Sequence, residues 1–152
     1  ESSRFRVQGS RSGNEDVEHR TLNIEPVKIF GTDYPTKDGS CIRDYVHVAD
    51  IAQAHILALK ELKELNKPYN LGTSKGYSVL EVVEAAKRVT GGDIQEKISP
   101  RRSGDPAVLV ASSSRAKSEL GWEPQFPNLE AIVESAWQWM KKHPKGYVGG
   151  RA

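Results

Sequence analysis

Cys41-Ile42-Arg43-Asp44-Tyr45-Val46-His47-Val48 is an extended stretch that runs straight into a helical pattern. Val48, Ile51, Ala52, His55, Leu59 and Leu62 recur at helical spacing, which predicts a helix over 48–65, ended by Lys67-Pro68. Asp50 falls in its first turn, where the helix dipole favours an anion. Alternation along the extended part predicts Arg43, Tyr45 and His47 on one face, with Asp44, Val46 and Val48 on the other.

Working outward, Val27-Lys28-Ile29-Phe30 reads as a short strand, and the turn-rich loop from Gly31 to Ser40 follows it. Tyr69-Asn70-Leu71-Gly72 reads as a short strand or its exit. Ser78-Val79-Leu80-Glu81 is a capping box; Leu80, Val83, Ala86 and Val89 form the buried stripe behind it, and Gly91-Gly92 is the stop. Ile94 to Ser99 and Ala107 to Ala111 are further extended runs. Ser113 or Ser114 caps a short helix that ends at Leu120-Gly121. Asn128 caps the last helix, with the stripe Leu129, Ile132, Val133, Ala136 and Met140. Four helices with four or five short strands are too little strand for a complete doubly wound sheet and too irregular for a bundle. The expectation is an α/β chain, α+β-like and partial. Residues 1–20 hold no period of 2 or 3.6 and read as a mobile segment.

Composition narrows the function classes. The chain has 152 residues, 37% of them hydrophobic, and a net charge of +2, which argues against a general polyanion binder and so against nucleic acid. Its one cysteine, Cys41, cannot form an internal disulfide and fits a reducing, cytoplasmic setting. No apolar run approaches the length of a membrane span, and the start lacks the apolar core of a signal peptide.

Two arginine sites carry chemistry. Arg43 and Tyr45 on one strand face suit a phosphate or a sugar hydroxyl, because a guanidinium offers a planar fork of donors. Pro100-Arg101-Arg102-Ser103-Gly104-Asp105-Pro106 places paired arginines beside a carboxylate in a proline-flanked loop, which suits a nucleotide diphosphate and its ribose. Solvated surface ion pairs explain the same spacing. Gly72-Thr73-Ser74-Lys75-Gly76 lacks the Walker pattern and reads as a loop feeding the Ser78 cap. His47, His55 and His143 have no metal-ligand spacing, and no nucleophile motif surrounds Cys41 or any serine.

Taken together, these segments resemble the C-terminal half of the UDP-glucose 4-epimerases, extended short-chain dehydrogenase/reductases. The resemblance rests on Phe30-Gly31-Thr32-Asp33-Tyr34-Pro35-Thr36, Cys41 to Val48, Tyr69-Asn70-Leu71-Gly72 and Pro100 to Ala107. Leu120-Gly121-Trp122-Glu123-Pro124 and the ending from Trp137 to Tyr147 also carry it. It covers about residues 25 to 147 and implies a UDP-sugar-binding domain over 25–148, preceded by a segment 1–24. It further implies that Lys28, Ile29 and Phe30 lie along the uracil, and that Arg43 contacts the diphosphate with Tyr45 close by. Arg102 to Asp105 close on diphosphate and ribose, and Val79 packs at the nucleotide. Such enzymes hold NAD, and a Tyr aided by Lys and Ser/Thr removes the 4-hydroxyl proton while hydride passes to the cofactor. Hydride then returns to the other face of the rotated 4-keto sugar. The family is homodimeric and serves galactose metabolism.

The Gly-rich dinucleotide turn and the Tyr-x-x-x-Lys pair of that family are absent from these 152 residues. The expectation is therefore a substrate-binding part, lacking most of the Rossmann sheet, that carries no catalytic residue and does not hold NAD by itself. The alternatives are another nucleotide-sugar epimerase or dehydratase, such as a UDP-arabinose 4-epimerase, or a non-catalytic interaction module docking through the last helix.

Overall fold

The computed structural model describes residues 25–61, 67–144 and 146. Residues 1–24, read above as a separate segment, lie outside them, as do Leu62, Leu65 and Tyr147. Chain order is β1 (Val27–Phe30), β2 (Ile42–Arg43), α1 (Val48–Lys60), β3 (Tyr77–Ser78), α2 (Val79–Thr90), β4 (Glu96–Ser99), β5 (Val108–Leu109), α3 (Ser114–Leu120) and α4 (Leu129–Lys142). Two small sheets form. β1 pairs in parallel with β4, Phe30 opposite Ser99. β2 lies between antiparallel β3 and parallel β5. The expected strand at Tyr69 to Gly72 is absent; these residues pair with no ladder, and Tyr69 and Leu71 instead pack on a helical core.

The expected face alternation from Arg43 to Val48 fails, because β2 ends at Arg43. Asp44 leaves the ladder to bind three groups: the Thr73 amide at 3.1 Å, the Thr73 hydroxyl at 3.0 Å and the Ala111 amide at 3.1 Å. This staple needs Gly72, since a Cβ there would strike the Asp44 carboxylate. His47 turns back to cap α1, its Nδ1 accepting from the Ala49 amide at 3.0 Å. Its Nε2 therefore carries the proton and donates to Ser135 Oγ at 2.9 Å, while the ring stacks on Phe126 at 3.7 Å. Asp50 does more than sit at a helix dipole. Fully buried, it accepts from the Gln125 and Phe126 amides at 2.9 and 3.1 Å, and so anchors the loop into α4. A buried carboxylate is tolerable because those donors replace water.

Two clusters make the core. Ala54, Ala116, Leu120 and Trp122 join α1 to α3, with Trp122 Nε1 donating to the Asp50 carbonyl at 2.8 Å. Tyr77, Ala85 and Leu129 join β3, α2 and α4, and Tyr45, Val82 and Val133 pack on them. The α1 stripe read from the sequence does not enter either cluster: Val48 is 74% exposed and Leu59 65%. Beside it, a 520 Å³ groove between α1 and α4 is lined by Val46, Val48, Ile132, Ala136, Trp139 and Met140. The α1 and α4 outer faces thus form one apolar surface.

The α2 capping box is present in full. Ser78 Oγ accepts from the Glu81 amide at 3.0 Å, and Glu81 accepts from the Ser78 amide at 2.8 Å. The Ser78 hydroxyl in turn donates to Asp38, which also accepts from the Ser40 amide and hydroxyl at 2.9 and 2.8 Å. The α3 cap differs from expectation: Ser113 stands at the cap position without a side-chain cap bond, its hydroxyl lying 3.3 Å from that of Ser74.

Burial alone pushes the Asp38 carboxyl up, but the bonds from Ser78 and Ser40 outweigh it and hold the group below its ordinary value. A depressed carboxyl adds stability above its unfolded value and loses it as pH falls through the folded one. Ser78→Ala is expected to cost ~1–2 kcal/mol near neutrality through the lost cap. In urea melts the gap to wild type should narrow between about pH 7 and a pH well below the ordinary carboxylate range, as folded Asp38 takes up its proton. An equal gap at both pH values would show that the Asp38–Ser78 bond contributes nothing.

Candidate functional site

The site residues meet where the end of β1 faces the loop between β4 and β5. In the parallel pair, the Val27 and Gly31 amides donate to the Gln95 and Ser99 carbonyls at 2.9 and 2.8 Å. Alternation leaves the main-chain groups of Lys28 and Phe30 on the opposite edge of β1, to which no strand pairs among the described residues. The Lys28 side chain is exposed, whereas that of Ile29 is core.

Because Phe30 is opposite Ser99, the chain leaving β4 returns over β1. The Arg102 guanidinium stands 4.9 Å above the Phe30 ring. Arg102 Nε donates to Asp105 Oδ2 at 2.8 Å, closing the loop on itself. From β2, Arg43 reaches the same carboxylate, its Nη2 3.8 Å from Asp105 Oδ1. Arg43 Nη1 donates to the carbonyls of Ile42 and Pro106 at 2.8 and 2.9 Å, which fixes the direction of its fork. Arg43 and Asp105 are both about one-fifth exposed, and two guanidinium groups thus converge on one carboxylate. An incoming anion meets both cations already oriented. Beside Arg43 a groove of about 390 Å³ is lined by Asp44, Asn70, Leu109, Val110 and Ala111.

The structure therefore brings Phe30, Arg43, Arg102 and Asp105 together. Tyr45 and Val79 do not join their contacts. The Tyr45 ring packs on the Tyr77–Leu129 cluster, and burial pushes its phenol up. Val79 begins α2, and its amide donates to the Cys41 carbonyl at 3.1 Å. Sequence reasoning singled out neither Asp33 nor Tyr34, both of which Arg101 engages from the same loop.

Among the described residues, the start of α2 does not suit a dinucleotide. The Gly72–Gly76 loop leads to α2, but that helix start already faces two carboxylates of its own, Glu81 and Asp38. An added pyrophosphate there would meet like charge. Among the described residues no cluster of His, Cys, Asp or Glu is placed to hold a metal, and no helix is long and apolar enough to cross a membrane.

These elements are those of the C-terminal part of an extended short-chain dehydrogenase/reductase, without most of the Rossmann sheet. The chain belongs to the family described as GDP-mannose 4,6 dehydratase, whose model matches residues 5–135. It is 57% identical over 125 residues to the UDP-glucose 4-epimerase of Halalkalibacterium halodurans, a match covering 81% of this chain. The chain spans 37% of that relative's length. A crystal structure of a UDP-glucose 4-epimerase superimposes with TM-score 0.77 at 49% identity, covering 84% of this chain and 39% of the other. That of the Bifidobacterium longum UDP-glucose 4-epimerase in complex with NAD+ and UDP gives TM-score 0.72 at 39% identity, covering 82% and 37%.

Proposed function

We propose that this chain is the UDP-binding part of a UDP-glucose 4-epimerase, which interconverts UDP-glucose and UDP-galactose in cytoplasmic galactose metabolism as a homodimer. The observation that carries the reading is the convergence of Arg43 and Arg102 on Asp105 beside the free edge of β1. Residues 25–148 act as the UDP-sugar domain. The two guanidinium groups grip the diphosphate with preset forks. Asp105 accepts from the ribose hydroxyls once the arginines turn to phosphate. The Lys28 and Phe30 main-chain groups offer a donor and acceptor row to the uracil, with the Ile29 side chain held in the core. Val79 at the start of α2 and Tyr45 on the Tyr77–Leu129 cluster are assigned to the nucleotide by the family resemblance alone.

Hydride transfer needs NAD, which a dinucleotide-binding half supplies and these residues do not. The exposed α1 stripe and the exposed Met140 end of α4 are suited to packing against that half, which accounts for apolar side chains left outside the local core. This accounts for them better than a non-catalytic docking module does, because the charged site lies elsewhere on the chain. A sibling epimerase acting on another UDP-sugar shares the same nucleotide contacts. Calorimetry with UDP tests the binding claim: weak, saturable heat is expected, with the affinity reduced in Arg102→Ala. No heat at millimolar UDP, in wild type and variant alike, would overturn the reading.

A further inference from the structure

The loop that presents Arg102 has a second arginine with a different task. We propose that Arg101 is a positioning residue, a latch that fastens the 100–106 loop to the 31–40 loop and so fixes where Arg102 stands. This rests on the nucleotide-site reading above for its consequence, and on geometry alone for the latch.

Arg101 engages the opposing loop three ways. Its Nε donates to Asp33 Oδ1 at 2.6 Å, and its Nη2 donates to the Asp33 carbonyl. Its guanidinium lies 4.0 Å from the Tyr34 ring centroid. Tyr34 is buried, so the platform under the cation is fixed. The seat is shaped by a missing side chain. Gly31 adopts φ +84°, and a Cβ there would fall 2.6 Å from Arg101 Cγ and 2.7 Å from Tyr34 Cε2. On the other side of Gly31, Phe30 carries Arg102. Consecutive arginines thus rest on two aromatic rings four residues apart, one on each side of the glycine.

The division of labour follows from what each arginine has left to offer. Arg101 commits two of its donors to Asp33 and its planar face to a core ring, and these contacts are to the 31–40 loop, not to Asp105. Arg102 is bound only within its own short loop and to the Phe30 face. A loop with two prolines and Gly104 at φ +83° has few internal bonds, the Asp105 amide to the Arg102 carbonyl at 3.3 Å being one. Its placement must come from outside: Arg43 holds the Asp105–Pro106 end, and Arg101 holds the end that carries Arg102. The pair is exposed enough, at 41% and 74% for the two side chains, that it adds little to global stability.

The test uses the full chain with Arg101→Ala and Arg101→Lys, read by hydrogen exchange, thermal melting and UDP calorimetry. In Arg101→Ala the Asp105 amide is expected to exchange about tenfold faster with the melt unchanged. UDP affinity should fall about tenfold, since a displaced guanidinium loses its geometry. Arg101→Lys should not rescue either, because an ammonium has neither the fork nor the planar stack. Unchanged exchange at Asp105 overturns the latch whatever UDP does. Faster exchange with undiminished UDP binding overturns the positioning role. Faster exchange while neither protein binds UDP supports the latch and overturns the nucleotide reading instead.

Discussion

Replacing Trp122 by alanine is expected to destabilise the fold by ~3–5 kcal/mol, the usual loss for a large aromatic in a tight core. The indole is fully buried among Ala54, Ala116 and Leu120, small neighbours that cannot collapse into the space. The loss does not stop at packing. Trp122 Nε1 is the donor to the Asp50 carbonyl, and Asp50 holds the Gln125 and Phe126 amides. Removing the ring loosens the α1 start and the loop that feeds α4 together. For a chain of this size the melting temperature should drop on the order of 10 °C. Trp122→Phe should recover most of the packing but not the hydrogen bond, leaving a deficit of ~1 kcal/mol. Thermal melts of the three proteins check this. A Trp122→Ala melt within about 2 °C of wild type would show that the α1–α3 cluster is not the organising core.

Replacing Arg43 by alanine is expected to weaken UDP binding by about 10–100-fold, as for the loss of one or two charge-assisted hydrogen bonds. The effect should exceed that of Arg102→Ala, because Arg43 is the more enclosed of the two. Its Nη1 also ties the strand to the Pro106 carbonyl, so truncation both removes a cation and frees the far side of the loop. Arg43→Lys should recover only part of the affinity, since a lysine cannot hold that carbonyl and present a second donor in one plane. Calorimetry at two salt concentrations separates the parts: the lost charge is screened by salt, and the lost geometry is not. Equal affinity for wild type and Arg43→Ala would remove Arg43 from the diphosphate site.

Local signals in the chain were sufficient for local structure. The Ser78 and Asn128 caps and the Gly91 and Gly121 stops act within one or two helical turns, and each appears where its residues predict, whereas of the expected α2 stripe only Val83 is buried, with Ala85 beside it. The arginines of the site were legible for a similar reason, because Arg102, Asp105 and the glycine between them form a loop within six residues. Other readings failed where a distant partner took a group over. Asp44 and His47 left the expected strand because Thr73, Ala111 and Ser135 offered them better bonds. Ser113 or Ser114 was expected to cap α3; Ser113 holds the cap position, yet its hydroxyl lies beside Ser74 and makes no cap bond. Arg101 was read as a twin of Arg102, and its separate role was hidden because its partners, Asp33 and Tyr34, lie about 70 residues upstream and meet it only through the β1–β4 register.

By itself the sequence determined the helices, the ends of α2, α3 and α4, the partial α/β character and the presence of an arginine-rich loop, while α1 stops at Lys60, short of the expected 65. Those depend on dihedral preference, capping and periodicity, which are short-range. Only the tertiary structure decided which of two faces each helix buries. Periodicity marked an apolar stripe on α1 without saying what it faces, and the chain turned Ala54 and Asp50 inward and left Val48 and Leu59 outside. Burial is a property of the partners available across the fold, and the hydrophobic effect has no direction of its own. The same holds for the site: Arg43, Phe30, Arg102 and Asp105 became one corner only when β1 paired with β4 and β2 with β5.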